Sequence, residues 1–328
     1  MRPLVLLHRW LGIPLALLFA MWFASGIVMH FVPYPALTEA ERVGGLAPPD
    51  FSGVAHGPAE AVAASGIGPG ARVRLFRRAD GPVFLVSAAS RLVALHATDL
   101  GDAAVRSAQS ALAIAVDHAK RRGLEAELAA VAAFAATDQW TVGSLDAYRP
   151  LYRIALNDRP GTELYVSAAT GEVVRDTTRR ERGWNYAGSV AHWIYPTALR
   201  GRPALWQMVV WTLSLFGVVT AAAGIALGLA RIRFERGRPV SPFAGWQAWH
   251  HGLGLACMVF VLTWIFSGWL SLDQGLLFSN EHLSDADRLR IGGAPDGAST
   301  RASCGASRHT RRKWSGFGST AGSTVAKG

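Results

Sequence analysis

Residues 7–29 read LHRWLGIPLALLFAMWFASGIVM, and residues 249–271 read WHHGLGLACMVFVLTWIFSGWLS. With a constant offset the two stretches share a histidine, a Leu-Gly pair, a tryptophan and a Ser-Gly pair: His8 with His250, Leu11-Gly12 with Leu253-Gly254, Trp22 with Trp264, and Ser25-Gly26 with Ser267-Gly268. Internal repeats in membrane proteins often place a functional site at the interface of the repeats. The repeat therefore directs attention to the histidine near the start of each stretch.

Three apolar runs exceed the roughly 20 residues needed to cross the hydrocarbon core of a bilayer. We predict a first transmembrane helix within residues 1–37, a second at 204–230 and a third at 240–272. The first run is too long for the apolar region of a cleaved signal peptide, and His8-Arg9 lie where that region would begin. The predicted fold class is a membrane α-helical protein with three transmembrane helices and an extracytoplasmic α+β domain at residues 38–203.

Arginine placement predicts the orientation of these helices. The loop at residues 231–239 contains four arginines, and Arg2 and Arg9 precede the first run. Short arginine-rich loops remain in the cytoplasm. We therefore expect a bacterial inner-membrane protein with a cytoplasmic N-terminus and a periplasmic domain at 38–203. Five arginines near the end of that domain oppose the rule, which is weak for a long translocated segment.

The domain at residues 38–203 shows short strand and helix patterns and no catalytic signature. It has no Gly-rich phosphate loop and no nucleophile motif. An aromatic-rich interfacial segment, residues 184–199, leads to the second span. The predicted helices are Pro58–Ser65, Ala103–Arg121 and Glu125–Ala136, and the predicted strands are Arg72–Arg77, Val83–Ser87, Leu92–Ala97, Leu151–Asn157, Glu163–Ser167 and Glu172–Asp176.

Composition excludes a nucleic-acid-binding protein and a small protein held together by disulfides. The formal net charge is +10, but the arginines cluster beside the apolar runs and in the final tail. The sequence contains no basic patch interleaved with aromatic residues, which is the pattern that would indicate a nucleic-acid partner. The chain has two cysteines, Cys257 inside an apolar run and Cys304 in the tail, so a disulfide framework is not expected.

The paired histidines His8 and His250 predict a cofactor site. Both spans run from inside to outside, so the two residues lie at the same depth, near the cytoplasmic face. Gly12 and Gly254 follow one turn later and permit close approach of a helix or a flat ring. Two facing imidazoles are the axial ligands that a b-type haem requires. The alternative is a structural role at the headgroup level. His251, next to His250, is an alternative ligand or an interfacial neighbour.

A second set of histidines lies toward the outer face. His30 ends the first span, and His192 lies in the interfacial segment. His8 and His30 are 22 residues apart, which places them on one helix face but about 33 Å apart along the axis. They must therefore serve different sites. We predict that His192, with His30, holds or half-holds an outer haem, and we keep a structural role for both histidines as the alternative.

Several segments resemble the PepSY-associated transmembrane family. In the membrane part they are LHRWLGI at 7–13, WNYAGSVAHWIYPTALRGRPALW at 184–206, and WHHGLGL at 249–255 with WIFSGWLS at 264–271. The hairpins RLFRRADGPVFLVSAASRLVALHATDLG (74–101) and ELYVSAATGEVVRD (163–176) are similar to its extracytoplasmic PepSY units. The resemblance covers about residues 5–285.

This resemblance implies a haem protein, since family members include haem-containing reductases of ferric siderophores. His8 and His250 match the family's span-leading histidines, His192 matches the histidine before its second span, and His30 is not part of the pattern. The implied function is electron transfer across the membrane, through one or two haems b, to an external acceptor such as a ferric siderophore. The donor would be a quinol or a cytoplasmic reductase, because no flavin or nicotinamide motif is present.

The outer tail, residues 273–328, departs from the family, which continues with a second outer segment and a fourth span led by its own histidine. Gly292–Gly328 has no apolar run and is predicted to be disordered. We expect a truncation or a reading-frame change near residue 290, which leaves the outer site short of a ligand. The rival functions are a membrane-anchored PepSY module that binds a peptide or regulates a peptidase without haem, a transporter subunit, and a defective remnant of the family.

Overall fold

Long apolar helices flank an α+β segment in this chain. The computed structural model describes residues 1–48, 50–68, 71–88, 91–135, 137–235 and 238–272, so the predicted tail at 273–328 lies outside the described residues. The α-helices are α1 (Arg2–Phe31), α2 (Glu39–Gly44), α3 (Pro58–Ser65), α4 (Ala108–Arg121), α5 (Arg179–Asn185), α6 (Thr197–Arg200), α7 (Pro203–Arg231), α8 (Gly245–Ala256) and α9 (Met258–Leu270).

The strands form three antiparallel sheets among the described residues. The first sheet has the order β1-β2-β3, the second β4-β5-β6-β7, and the third is a hairpin of β8 and β9 in the arginine-rich loop. The strands are β1 (Arg72–Arg78), β2 (Gly81–Ala88), β3 (Arg91–His96), β4 (Ala130–Ala135), β5 (Leu151–Ala155), β6 (Glu163–Ser167), β7 (Val173–Thr177), β8 (Arg233–Glu235) and β9 (Arg238–Val240).

Helices α1 and α7 are each long and apolar enough to cross a membrane, with a mean hydropathy of 2.1 over their most apolar windows. The third predicted span is not one continuous helix. It breaks at Cys257 into α8 and α9, whose axes are bent by 68°. Gly252 and Gly254 directly precede the break, and glycines lower the resistance of a helix to bending.

The bent pair follows α7 along its apolar length. Near the end of α7, a Cβ atom at Gly228 would lie 3.0 Å from the Leu255 side chain. Near its beginning, the Gln207 amide donates a hydrogen bond to the Leu272 carbonyl at 3.0 Å. Leu255 and Leu272 are 17 residues apart, which is at most about 25 Å of helix. The pair therefore follows α7 over most of the thickness of a hydrocarbon core.

Two helix-and-sheet units form the α+β segment. In the first, α3 packs on the β1-β2-β3 sheet through a core that includes Ala61, Phe84 and Val86. In the second, α4 packs on the larger sheet, and Ile154 and Leu164 are fully buried there. The predicted helix Pro58–Ser65 and all six predicted strands are present, with ends that differ by at most two residues.

Two helix predictions were wrong in this segment. Residues 130–135, predicted as part of a helix over Glu125–Ala136, form β4 and pair with β5. Alanine favours a helix, but the edge of the sheet offers this segment backbone pairing with β5, which is interrupted by a register shift between Val131 and Ala133. The helix predicted from Ala103 begins at Ala108 instead. The Ser107 side chain caps it, and Val105 donates a backbone hydrogen bond to Ala168 at 2.7 Å.

A buried arginine joins the two units. Arg78, at the end of β1, donates to the carbonyl oxygens of Ala103 at 2.7 Å and Thr170 at 2.9 Å. It also makes a two-point contact with the Asp80 carboxylate. Gly171 lies directly against it, since a Cβ there would be 2.2 Å from the guanidinium. The turn between β6 and β7 therefore depends on a side chain of the first unit.

The second unit is also attached to the C-terminal end of α1. The Tyr34 hydroxyl donates to the Gln139 carbonyl at 2.9 Å, and Asn185 donates to the Pro33 carbonyl at 3.0 Å. The Arg175 guanidinium donates to the Pro35 carbonyl and lies over the Tyr34 ring. These contacts hold the segment that follows β7 against α1, and they position His192.

Because His118 on α4 is buried, we predict that the stability of the α+β domain falls at acid pH. The chain after α2 covers its ring at Gly45, and burial, with a smaller effect of Arg122, lowers the pKa of His118 from 6.5 to about 4. Above pH 6.5 both folded and unfolded chains are neutral at this residue. Between pH 6.5 and 4 only the unfolded chain takes up the proton, so we expect a loss of about 3 kcal/mol of stability across that interval.

Urea unfolding of the purified protein, followed at several pH values, checks this expectation. The His118→Leu variant keeps an apolar side chain in the same space and should lack this component of the pH dependence. Equal pH dependence in the wild type and the variant would contradict the assignment to His118.

Candidate functional site

The structure brings the two repeat histidines together. His8 lies on the second turn of α1 and His250 on α8, and their ring centroids are 6.1 Å apart with a tilt of 39°. These residues are 242 positions apart in the chain. They meet because α1 and the α8–α9 pair both pack against α7 and run in the direction opposite to it.

Helix α7 holds the His8 ring in one orientation. Nδ1 of His8 lies 3.1 Å from the Thr220 carbonyl oxygen. Because a carbonyl only accepts, Nδ1 carries the proton, and Nε2 keeps its lone pair. The ring also lies directly against Gly224, where a Cβ would be 2.6 Å from Cε1 of His8. Histidines that bind metals commonly donate their other ring nitrogen to a backbone carbonyl in this way.

The two rings lie close enough for one group to contact both, since their centroids are 6.1 Å apart. His250 is exposed and makes no hydrogen bond with the described residues, so its ring is free to adjust. Two imidazole nitrogens are a donor set that a haem iron accepts, so these residues fit that group.

His251 has a structural role instead. Its Nε2 donates to the Gly228 carbonyl at 3.0 Å, and its Nδ1 accepts from the Ser241 hydroxyl at 3.0 Å. Its ring also packs edge-on against Phe243. Both nitrogens are occupied, so His251 links α8 to the end of α7 and is not placed as a ligand.

His192, from the segment before α7, lies against α1. Its Nδ1 is 3.1 Å from the Trp22 carbonyl oxygen and 3.0 Å from the Ser25 hydroxyl. The Ser25 hydroxyl donates to Met21, and the Trp22 carbonyl accepts the His192 proton. Because this hydrogen bond uses the proton on Nδ1, the neutral imidazole has its acceptor at Nε2.

A π-helical turn places His192 close to α1. This turn, Tyr186–Val190, continues α5, and Gly188 within it has a non-helical backbone. A Cβ at Gly188 would lie 3.0 Å from the Val28 side chain. A larger residue at this position would push the segment away from α1, and extra-residue turns of this kind often occur at functional sites.

The structure does not bring His30 to His192. His30 is exposed at the end of α1, and its ring packs edge-on against Phe31. His30 has no hydrogen bond among the described residues, and it is not part of the cavity wall that includes His192. The predicted pairing of these two histidines as an outer haem site therefore stays a prediction without geometric support.

Sequence reasoning missed the residues that orient the histidines. Thr220 and Gly224 are four apart on one face of α7, a spacing visible in the sequence, but nothing in the sequence says which face meets His8. Ser25 belongs to the repeat, yet only the packing shows that it contacts His192. Within the described ranges, no group of three or more His, Cys, Asp or Glu residues is placed to hold a metal ion.

Comparison with known proteins adds no assignment. No family model matches the chain, and no curated protein and no solved structure matches it. The resemblance to the PepSY-associated transmembrane family therefore stays a prediction that depends on the quoted motifs alone.

Proposed function

We propose that this protein is an integral membrane protein in which the bent α8–α9 pair forms a third crossing. The contacts of the pair with α7 from Gly228 to Gln207 support this placement. Exposed tryptophans at one end of the bundle, Trp10, Trp246 and Trp249, are suited to the membrane–water boundary. With the arginine-rich hairpin in the cytoplasm, the α+β domain lies in the periplasm of a bacterial inner membrane.

We further propose that the protein carries electrons across this membrane by means of a haem b held by His8 and His250. The observation that carries the proposal is the 6.1 Å pair of imidazoles, one of which is oriented by the Thr220 carbonyl. When bound, the haem supplies a one-electron redox centre near the inner face. His8 and His250 would each supply a ring nitrogen to it, and the hydrogen bond from Nδ1 to the Thr220 carbonyl raises the basicity of His8.

The α+β domain would then present the external acceptor, for which a ferric siderophore is the proposed class. The electron donor is proposed to be a quinol or a cytoplasmic reductase. No catalytic side chain is proposed in the domain, because the chemistry is that of the redox centre.

Visible spectroscopy of the purified protein tests the haem assignment. The protein is purified in detergent, spectra are recorded in air and after dithionite, and haem is quantified per chain. We expect sharp reduced bands of a low-spin b-type haem and a content near one per chain. A colourless but folded protein would contradict the proposal, and the membrane-anchored PepSY binding module would replace it.

A further inference from the structure

A cavity of about 410 Å³ lies beside His192, between α1, α7 and α9. Half of the residues that line it have aromatic rings: Trp22, His192, Trp193, Tyr195, Trp206 and Trp264. Small-molecule pockets commonly have volumes of about 300–1,000 Å³ and mainly apolar, aromatic walls with a few polar groups. The volume and the wall of this cavity therefore fit one flat ring system.

Two of the tryptophans are fixed parts of the wall. The Trp22 indole donates to the His192 carbonyl at 2.9 Å, and the Trp206 indole donates to the Trp193 carbonyl at 3.0 Å. Trp22 also packs edge-on against Trp264, with ring centroids 6.3 Å apart. Because their N–H groups are already bonded, Trp22 and Trp206 offer a ligand apolar surface rather than hydrogen-bond donors.

His192 supplies a directional polar group in this wall. Its Nδ1 proton is donated to the Trp22 carbonyl, so Nε2 is an acceptor. Nε2 makes no hydrogen bond with any described residue. A ligand that satisfies it must bring a hydroxyl or another donor. A ligand with only carbonyl oxygens would face His192 with a second acceptor, which is unfavourable.

The depth of the cavity indicates whether its ligand enters from water or from the bilayer. Trp22 lies nine residues before the end of α1 at Phe31, about 13 Å along the helix. Trp206, three residues after the start of α7 at Pro203, also lines the cavity, and the Arg200 guanidinium lies 4.6 Å from the centroid of its ring. In the membrane placement proposed above, the cavity therefore extends from the hydrocarbon core to the membrane–water boundary. A ligand with a polar ring and an apolar tail can enter it from the bilayer.

From these observations we propose that the cavity binds a membrane-soluble quinol, with one ring hydroxyl donating a hydrogen bond to Nε2 of His192. The inference rests on the proposed membrane placement and is independent of the His8–His250 pair. It assigns the cavity to a hydroxylated ring instead of a second haem, which would need a second axial ligand that the described residues do not bring to His192.

Titration of the full chain in lipid nanodiscs tests this site. The probes are decyl-hydroquinone and its dimethyl ether, which keeps the ring but has no hydroxyl donor. Binding is followed by tryptophan fluorescence, because four indoles line the cavity. We expect the wild type to bind the hydroquinone about tenfold more tightly than the ether, as a lost buried hydrogen bond implies.

Two variants separate the hydrogen bond from the shape of the cavity. The His192→Phe variant should lose the preference for the hydroquinone, and His192→Gln, whose amide oxygen accepts, should restore it in part. Equal affinities of the two probes in the wild type would overturn the proposal. So would a haem content of two per chain that falls to one in His192→Phe. Haem is quantified in the same samples, so failure of the haem proposal is seen separately from failure of quinol binding.

Discussion

Replacing His8 or His250 by alanine is expected to abolish the low-spin haem spectrum of the purified protein. The two imidazoles are 6.1 Å apart, and removal of either leaves one axial position without its proposed ligand. A five-coordinate, high-spin haem or a colourless protein should result. Spectra before and after dithionite, with haem quantified per chain, measure the effect.

A histidine outside the membrane part serves as the control for these variants. His56 lies at the surface of the α+β domain, 3.6 Å from the Glu60 carboxylate, and His56→Ala should leave the spectrum unchanged. An unchanged low-spin spectrum in both His8→Ala and His250→Ala would rule out this pair as the haem ligands.

A glycine substitution tests the orientation of His8 without removing a histidine. A Cβ at Gly224 would be 2.6 Å from the His8 ring, whereas a Cβ at Gly183, within α5 of the α+β domain, meets no atom within 4 Å. Gly224→Ala should turn the His8 ring away from the Thr220 carbonyl and weaken low-spin haem binding. Gly183→Ala is the control, because it makes the same change within a helix remote from the two histidines. Identical haem content and spectra in the two variants would contradict the described packing.

Replacing Arg78 by alanine is expected to destabilise the α+β domain by about 2–4 kcal/mol, chiefly through the two buried carbonyl groups that lose their donor. The side chain is 2% exposed and its bonds to Ala103, Thr170 and Asp80 connect the two helix-and-sheet units. Its removal leaves two buried carbonyl groups without this donor and opens a cavity between the units. The strands on both sides should lose protection together.

Hydrogen exchange of the full chain, read by mass spectrometry, measures this loss in peptides from β1 and β6. The neighbouring arginine provides the control. Arg77 pairs with Asp50 at the surface, with 38% of its side chain exposed, so Arg77→Ala should cost less than about 1 kcal/mol. Similar exchange in Arg78→Ala and Arg77→Ala would mean that Arg78 does not join the units.

Much of the membrane part could be predicted from the pattern of apolar residues. The long runs within 1–37 and 204–230 become α1 and α7, and the prediction of apolar helices is confirmed. A span needs only length and apolar composition, both of which are local properties. The break at Cys257 was not predicted, because the bend depends on how α8 and α9 pack against α7.

The hairpins of the α+β domain could also be predicted. Alternating apolar and polar residues and the turn residues between them form a pattern that spans only a few positions. The strand β4 was not visible. Its residues, Ala130–Ala135, favour a helix by intrinsic propensity, and only the neighbouring β5 makes the strand the better solution.

At the candidate site, the internal repeat identifies which histidines to compare, because it aligns His8 with His250. Tertiary structure alone decided that their rings are adjacent, that Thr220 orients one of them, and that His30 lies apart from His192. The physical reason is the separation along the chain of the residues that determine each feature. Helix length and repeat pattern are encoded in neighbouring residues, whereas the orientation of an imidazole depends on a carbonyl contributed by a helix some 200 residues away, at Thr220.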